Sequence, residues 1–192
     1  GGVLGGAAAG VKGIVWDLSD LYLSPEDPRL EEDLKQAESK AVAFEAKYKP
    51  LFQAFQNGSF PLFDLLRDYK EVVTLMTKPG VYAPLKFSEK TDRAGGGAFM
   101  QKTEVRLTDI NSHLLFFEVC WNSLDRATAD TLMKSDARLE KDLHFLENMR
   151  NFAPHTLKEG EEKIMAIKSN TGGGAFRRLF DETLNAVPFY LE

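Results

Sequence analysis

The stretch from Ala98 to Asp125, AFMQKTEVRLTDINSHLLFFEVCWNSLD, constrains the fold more than any other part of the sequence. It has no proline or glycine, and its apolar side chains recur at the spacing of an α-helix. The members of this stripe are Phe99, Val105, Ile110, Leu114, Phe117 and Trp121. From Leu114 to Trp121 the segment is apolar almost all round, which is typical of a buried helix. We therefore predict one long central helix, against which the other helices pack.

Length and charge limit the classes of protein that fit. A chain of 192 residues with 14 phenylalanines suits a single domain with a real apolar core. A net charge of -5 and a pI near 5.4 argue against nucleic-acid or anionic-membrane partners. Residues 1–15 are mostly glycine and alanine, so we predict a flexible tail there and a domain at 16–192.

The expected compartment is the cytoplasm. The N-terminal stretch has neither the basic start nor the apolar segment of a signal peptide, and no run approaches the ~20 apolar residues of a membrane span. Cys120 is the one cysteine and has no internal partner for a disulfide. Because it lies between Val119 and Trp121, we interpret it as a buried structural thiol rather than a nucleophile.

The first half of the domain predicts two further helices. Asp27-Pro28 is a strong helix start, and a heptad-like stripe follows that ends before Pro50. Ser59 begins the next helix, which Lys78-Pro79-Gly80 is expected to end. The two predicted stripes are Leu30, Leu34, Ala37, Ala41, Phe44 and Tyr48 in the first helix, and Phe60, Phe63, Leu66, Tyr69, Val73 and Met76 in the second.

The second half predicts shorter helices. One spans about 127–134, and another runs from Ser135-Asp136 to Phe152. Thr156 and Glu159 fit a capping box for a helix that reaches Ser169, and the last helix holds 175–184. Pro188 ends it, and Phe189-Tyr190-Leu191 has the pattern of a strand beginning. The predicted fold class is all-α, a multi-helix bundle around a long buried central helix, truncated at the start of a C-terminal strand.

The sequence offers no catalytic, cofactor-binding or metal-ligating residue. His113, His144 and His155 are not part of an HExxH motif, so the helix-borne zinc ligands with their general-base glutamate are missing. His113 and His144 lie on different predicted helices and could meet, but local hydrogen bonding explains each more simply. Gly172-Gly173-Gly174 precedes a helix without the GK[ST] ending of a phosphate loop.

Three segments, in this order and spacing, resemble the N-terminal region of the oligoendopeptidase F family. They are WDLSDLY at 16–22, LLFFE at 114–118, and RNFAPHTL at 150–157, which runs into EEKI at 161–164. SNTG at 169–172 and RLFDE at 178–182 follow. The resemblance covers roughly Trp16 to the C-terminus, and Lys158 departs from the small capping residue that the pattern leads us to expect.

The resemblance implies a mostly helical zinc metallopeptidase, related to thimet oligopeptidase, that cleaves short peptides in an enclosed channel. It implies zinc on an HExxH helix of a C-terminal catalytic domain, which this chain does not contain, so no ligand or catalytic residue carries over. The implied role of the present region is to form part of the channel wall. Its expected partners are that catalytic domain and, in the parent protein, short peptides.

Two readings of the function follow. In the first, the chain is the non-catalytic N-terminal domain of such a peptidase, with an apolar face that could also promote self-association. In the second, it is a free-standing helical module that binds a peptide or protein. The ending Phe189-Tyr190-Leu191-Glu192 favours the first, since a finished module is expected to end in a capped helix or a polar tail. A third reading, catalysis at a novel site, has no residue cluster in its favour.

Overall fold

The chain is a bundle of α-helices in its computed structural model, which describes residues 17–55, 58–89, 96–151 and 157–186. Eight α-helices and one 3-10 helix lie in these ranges, and no strand does. They are α1 Pro28–Ala54, α2 Leu62–Glu89, α3 Gly96–Ser112, α4 Leu115–Ser123, α5 Arg126–Met133, a 3-10 helix Ala137–Asp142, α6 Leu143–Asn151, α7 Glu159–Thr171 and α8 Gly173–Ala186. The all-α class is confirmed, and the predicted C-terminal strand at 189–191 lies outside the described residues.

Helix α1 begins as its sequence predicts. The Asp27 carboxylate accepts a hydrogen bond from the Arg29 N–H at 3.0 Å, and Pro28 occupies the first helical position. The carboxylate also accepts from Leu23 N–H at 2.9 Å, which fixes the segment that leads into the helix. The hydrogen bonds from the Arg29 side chain and from Leu23 hold the pKa of Asp27 well below its usual range. This cap sets the direction in which α1 enters the bundle.

The heptad-like stripe of α1 is confirmed in full. All six predicted positions are buried, and Phe52 extends the stripe by one turn. Helix α1 packs along α2, and α2 packs along α3. Apolar burial on this scale is the main force that holds such a bundle together.

Aromatic rings fill the centre of the bundle, where α1, α2 and α4 meet. The ring of Phe44 lies 5.4 Å from that of Phe116 and 6.0 Å from that of Tyr69, measured between centroids. Phe117 contacts Tyr69 edge-on at 5.4 Å, and Phe52 lies 6.2 Å from Phe117. Tilted and edge-on pairs at these distances are the favoured arrangements of aromatic side chains.

Prolines do not end α1 and α2 where the sequence predicts. Helix α1 continues through Pro50 to Ala54, and α2 continues through Pro79 and Pro84 to Glu89. Each proline removes one backbone hydrogen bond, which ordinarily costs about 3 kcal/mol. Tyr82 and Phe87, which both follow Pro79, are buried, and their burial stabilises the longer α2. The Tyr82 ring packs edge-on against Tyr22, with centroids 5.1 Å apart. The predicted helix end at 78–80 is therefore wrong, because tertiary packing outweighs the local cost.

The predicted single central helix is two helices. It breaks at His113 and Leu114, where backbone bonds tighten to the i to i+3 pattern, from His113 N–H to Ile110 C=O at 3.2 Å and from Leu114 N–H to Asn111 C=O at 2.9 Å. The turn re-aims the chain so that Leu114, Phe116 and Phe117 all enter the core. Val105, which the continuous stripe places in the core, is half exposed.

The short helices close the far side of α4. The fully buried Trp121 donates its indole N–H to the Leu146 carbonyl of α6 at 3.0 Å. The Arg150 guanidinium donates to the carbonyls of Trp121 and Leu124 at 3.0 and 2.8 Å, and so caps the end of α4. These bonds fasten α6 to the most apolar part of the sequence.

Candidate functional site

Helices α7 and α8 follow one another along α3, separated by Gly172 alone, and are called here the α7–α8 segment. This segment is built the opposite way round from an ordinary surface helix. Helix α7 has no buried residue. Its less exposed positions recur at helical spacing and are mostly polar or charged, namely Glu159, Glu162, Lys163, Ala166 and Asn170. A typical surface helix instead turns its apolar stripe to the core and its charges to water.

The large apolar side chains of the α7–α8 segment are largely exposed to solvent. Together they are called here the outer face: Ile164, Met165, Ile167, Phe176, Leu179, Phe180 and Leu184. Their exposed fractions run from 45% to 73%. Single exposed apolar residues are ordinary, but seven on two consecutive helices are not. Large apolar patches on a protein surface mark interaction sites.

Contacts on the inner side explain this orientation of α8. Arg178 donates to the Glu104 carboxylate of α3 at 2.8 Å, and its side chain is only 13% exposed. Residues three or four positions apart share one helix face, whereas Phe176 and Phe180 are two positions away from Arg178 on either side. Holding Arg178 against α3 therefore turns both phenylalanines outward.

Helix α7 is joined to the bundle by a set of polar and charged side chains called here the ion network: Glu45, Lys49, His113, Glu159 and Lys163. Lys49 Nζ lies 2.9 Å from Glu45 Oε1 and 2.6 Å from Glu159 Oε1. Lys163 Nζ lies 3.2 Å from Glu159 Oε1 and 3.6 Å from Glu45 Oε1. His113 Nδ1 lies 2.6 Å from Glu45 Oε2. The network thus ties α7 to α1 and to the turn between α3 and α4.

The pKa values of the network agree with its geometry. Partial burial disfavours the charged form of Glu45, but hydrogen bonds with His113 and Lys49 lower the pKa of that carboxyl to about 2. Burial likewise opposes the charge on Glu159, and its bonds with Lys49 and Lys163 lower its pKa below the ordinary value. Both carboxylates are therefore ionised at neutral pH.

His113 and His144, which the sequence left open as possible neighbours, have different partners in the structure. His113 pairs with Glu45 of α1, whereas His144 Nε2 lies 3.0 Å from the side-chain amide of Asn148, one turn along α6. His155 lies outside the described residues. Within the described ranges, no group of three or more His, Cys, Asp or Glu side chains could hold a metal ion. Nor is any helix in those ranges both long and apolar enough to cross a membrane.

The capping arrangement at the start of α7 differs from the predicted one. Thr156 lies outside the described residues, and the helix begins at Glu159. Glu161 accepts a hydrogen bond from the Lys158 N–H at 3.1 Å, and Glu162 accepts from the Leu157 N–H at 2.8 Å. Carboxylates in the first turn satisfy free N–H groups and favour the helix dipole, so α7 starts without a small capping residue.

Cys120 is half-buried, and its environment makes it a poor nucleophile. Burial raises the pKa of the thiol, and the nearby Glu159 carboxylate raises it further. We expect iodoacetamide to alkylate Cys120 in the folded protein at pH 7.5 roughly tenfold or more slowly than in the urea-unfolded chain, since only the thiolate reacts. Mass spectrometry of timed samples gives both rates. Equal rates in the two states would contradict the structural role of this thiol.

A comparison with known families gives a match that includes both α7 and α8. Residues 121–189 match a family model described as Oligopeptidase F. Neither a curated protein nor a solved structure matches the chain. The matched segment begins at Trp121 of α4 and includes α5 to α8, so it contains the whole outer face. It supports the resemblance that the sequence carries.

Proposed function

We propose that this chain is an N-terminal region of the oligoendopeptidase F family, the non-catalytic helical domain of a zinc metallopeptidase that hydrolyses short peptides. Its role in that protein is to wall the substrate channel. A catalytic domain bearing the HExxH zinc site packs on the outer face. The observation that carries this proposal is the inverted α7–α8 segment, which lies within the residues that match the family model and exposes seven apolar side chains.

An exposed apolar face gains free energy when a partner covers it. Burying one large apolar side chain contributes roughly 1.5–3 kcal/mol, so seven of them offer a large gain to such a partner. Arg177 and Asp181 are one turn apart on α8 and border one edge of the stripe of Phe176 and Phe180. An apolar centre with a charged rim is the usual anatomy of a protein interface.

A reconstitution assay tests this function. The chain alone is expected not to hydrolyse an internally quenched short peptide. Adding the separately expressed HExxH-containing part of the parent protein is expected to give hydrolysis that a zinc chelator abolishes. Hydrolysis by this chain alone that zinc chelation abolishes would overturn the non-catalytic role. Failure of the two parts to associate would instead favour a free-standing module that binds another partner.

Two further parts of the proposal concern location and self-association. We place the protein in the cytoplasm, because its lone, half-buried thiol suits a reducing compartment; cell fractionation with an antibody against the chain tests this. When the outer face has no partner, two copies are expected to associate through it. Light scattering behind gel filtration would then give a mass above 21.5 kDa that rises with protein concentration, whereas a constant monomer mass would refute this.

A further inference from the structure

The attachment of the α7–α8 segment differs in kind from that of α1 and α2. Helices α1 and α2 are anchored by large apolar side chains that are almost fully buried. The inner side of α7 contributes Glu159, Lys163 and Asn170, and none of its residues is buried. Apolar burial therefore does little to hold α7 in place.

Ion pairs and hydrogen bonds hold α7 against the bundle. The ion network joins α7 to α1, and Asn170 Nδ2 donates to the Thr108 hydroxyl of α3 at 3.0 Å. Arg178 adds its bond to Glu104 from α8. The five side chains of the ion network are 21–30% exposed, so water and salt reach them. Exposed ion pairs contribute little each and weaken as salt is added.

Glu45 is the hub of the network. One of its carboxylate oxygens faces both Lys49 and Lys163, and the other faces His113. It therefore touches α1, α7 and the turn between α3 and α4 at once. Removing the charge of Glu45 leaves His113 without its carboxylate partner, and leaves Lys49 and Lys163 with Glu159 alone.

We propose that the α7–α8 segment is an electrostatically latched arm, with Glu45 as the latch, that leaves the bundle as a unit while α1 to α6 stay folded. Elements with few buried apolar contacts open at a lower free energy than the core. The ion pairs of Glu45 decide whether the outer face is held in its observed orientation. This inference stands on the contacts of α7 and α8 with the bundle and does not depend on which partner covers the outer face.

Hydrogen exchange of the purified chain, followed by mass spectrometry of its peptides, tests the latch. Raising NaCl from 0.05 to 0.5 M is expected to speed amide exchange in 159–184 by about tenfold, with less than a twofold change in α1 and α2. Glu45→Gln is expected to reproduce the fast exchange at low salt. The matched control is Glu71→Gln on α2, which removes the carboxylate that lies 2.8 Å from Lys40 Nζ of α1.

A charge exchange separates the latch from general damage to the fold. Lys49→Glu is expected to release the α7–α8 segment from the bundle, and Lys49→Glu with Glu159→Lys is expected to hold it there again by restoring one pair across α1 and α7. The proposal is overturned if amide exchange in α7 and α8 is unaffected by both salt and Glu45→Gln, or if exchange in α1 and α2 speeds up equally. Should Glu45→Gln not fold, the salt series on the unaltered chain decides by itself. Because no catalytic part is present, a failure here is distinct from a failure of the reconstitution assay.

Discussion

Trp121→Ala is expected to lower the free energy of unfolding by about 3–5 kcal/mol, the range found for large aromatic truncations in a core. The side chain is fully buried, and its indole N–H bonds the Leu146 carbonyl. Truncation opens a cavity between α4 and α6 and leaves that carbonyl without its donor. Urea unfolding followed by circular dichroism measures the change as a shift in the midpoint.

Two companion variants separate the contributions at Trp121. Trp121→Phe keeps much of the volume and loses the donor, so it is expected to cost about 1–3 kcal/mol. Val105→Ala removes apolar atoms from a half-exposed position of α3 and is expected to stay within about 0.5 kcal/mol of the original chain. A cost for Trp121→Ala no larger than that of Val105→Ala would show that α4 is not the centre of the core.

On the function proposed above, Phe180→Asp is expected to weaken binding of the HExxH-containing part by about thirtyfold or more while leaving this chain as stable as before. Phe180 is 61% exposed in the outer face, so the unbound chain loses little packing. A buried charge at the centre of an interface removes a contact worth 2 kcal/mol or more where the residue is a hot spot. Calorimetric titration of the two separately expressed parts gives both dissociation constants.

The control for Phe180→Asp is Leu51→Asp. Leu51 lies on α1, is 41% exposed and is remote in sequence from α7 and α8. The same charge is introduced there, so a general effect of added negative charge would appear in both variants. Binding by Phe180→Asp as tight as that of the original chain would remove the outer face from the interface.

Much of the bundle could be predicted from the sequence because its local signals agree with its packing. The stripe of α1 is regular, and Asp27-Pro28 gives its start, so both were predicted correctly. The ends of α1 and α2 were not, because proline is a local signal and the burial of Tyr82 is not. The break at His113 could not be predicted, because no glycine or proline marks it. It depends on the burial of Phe116 and Phe117, which is a feature of the tertiary packing.

The orientation of α7 could not be predicted from the sequence. A helix with apolar residues on one side and charges on the other is consistent with either side facing the bundle. Ile164 and Ile167 therefore predicted a helix without indicating that they would face outward. One signal was present: Glu159 and Lys163 are one turn apart, as are Glu45 and Lys49 on α1. Pairs of opposite charge with matching spacing on two helices can face one another, but only the fold brings these two together.

The inverted α7–α8 segment has a consequence for how this protein is made in the cell. A ribosome releases α1 to α6 first, and these helices contain the buried core, so they can collapse before α7 and α8 emerge. The two helices then emerge with their apolar side exposed to water and with a charged side that binds the bundle weakly. Until a covering surface is synthesised or encountered, this is the part of the nascent protein that a chaperone is most expected to hold.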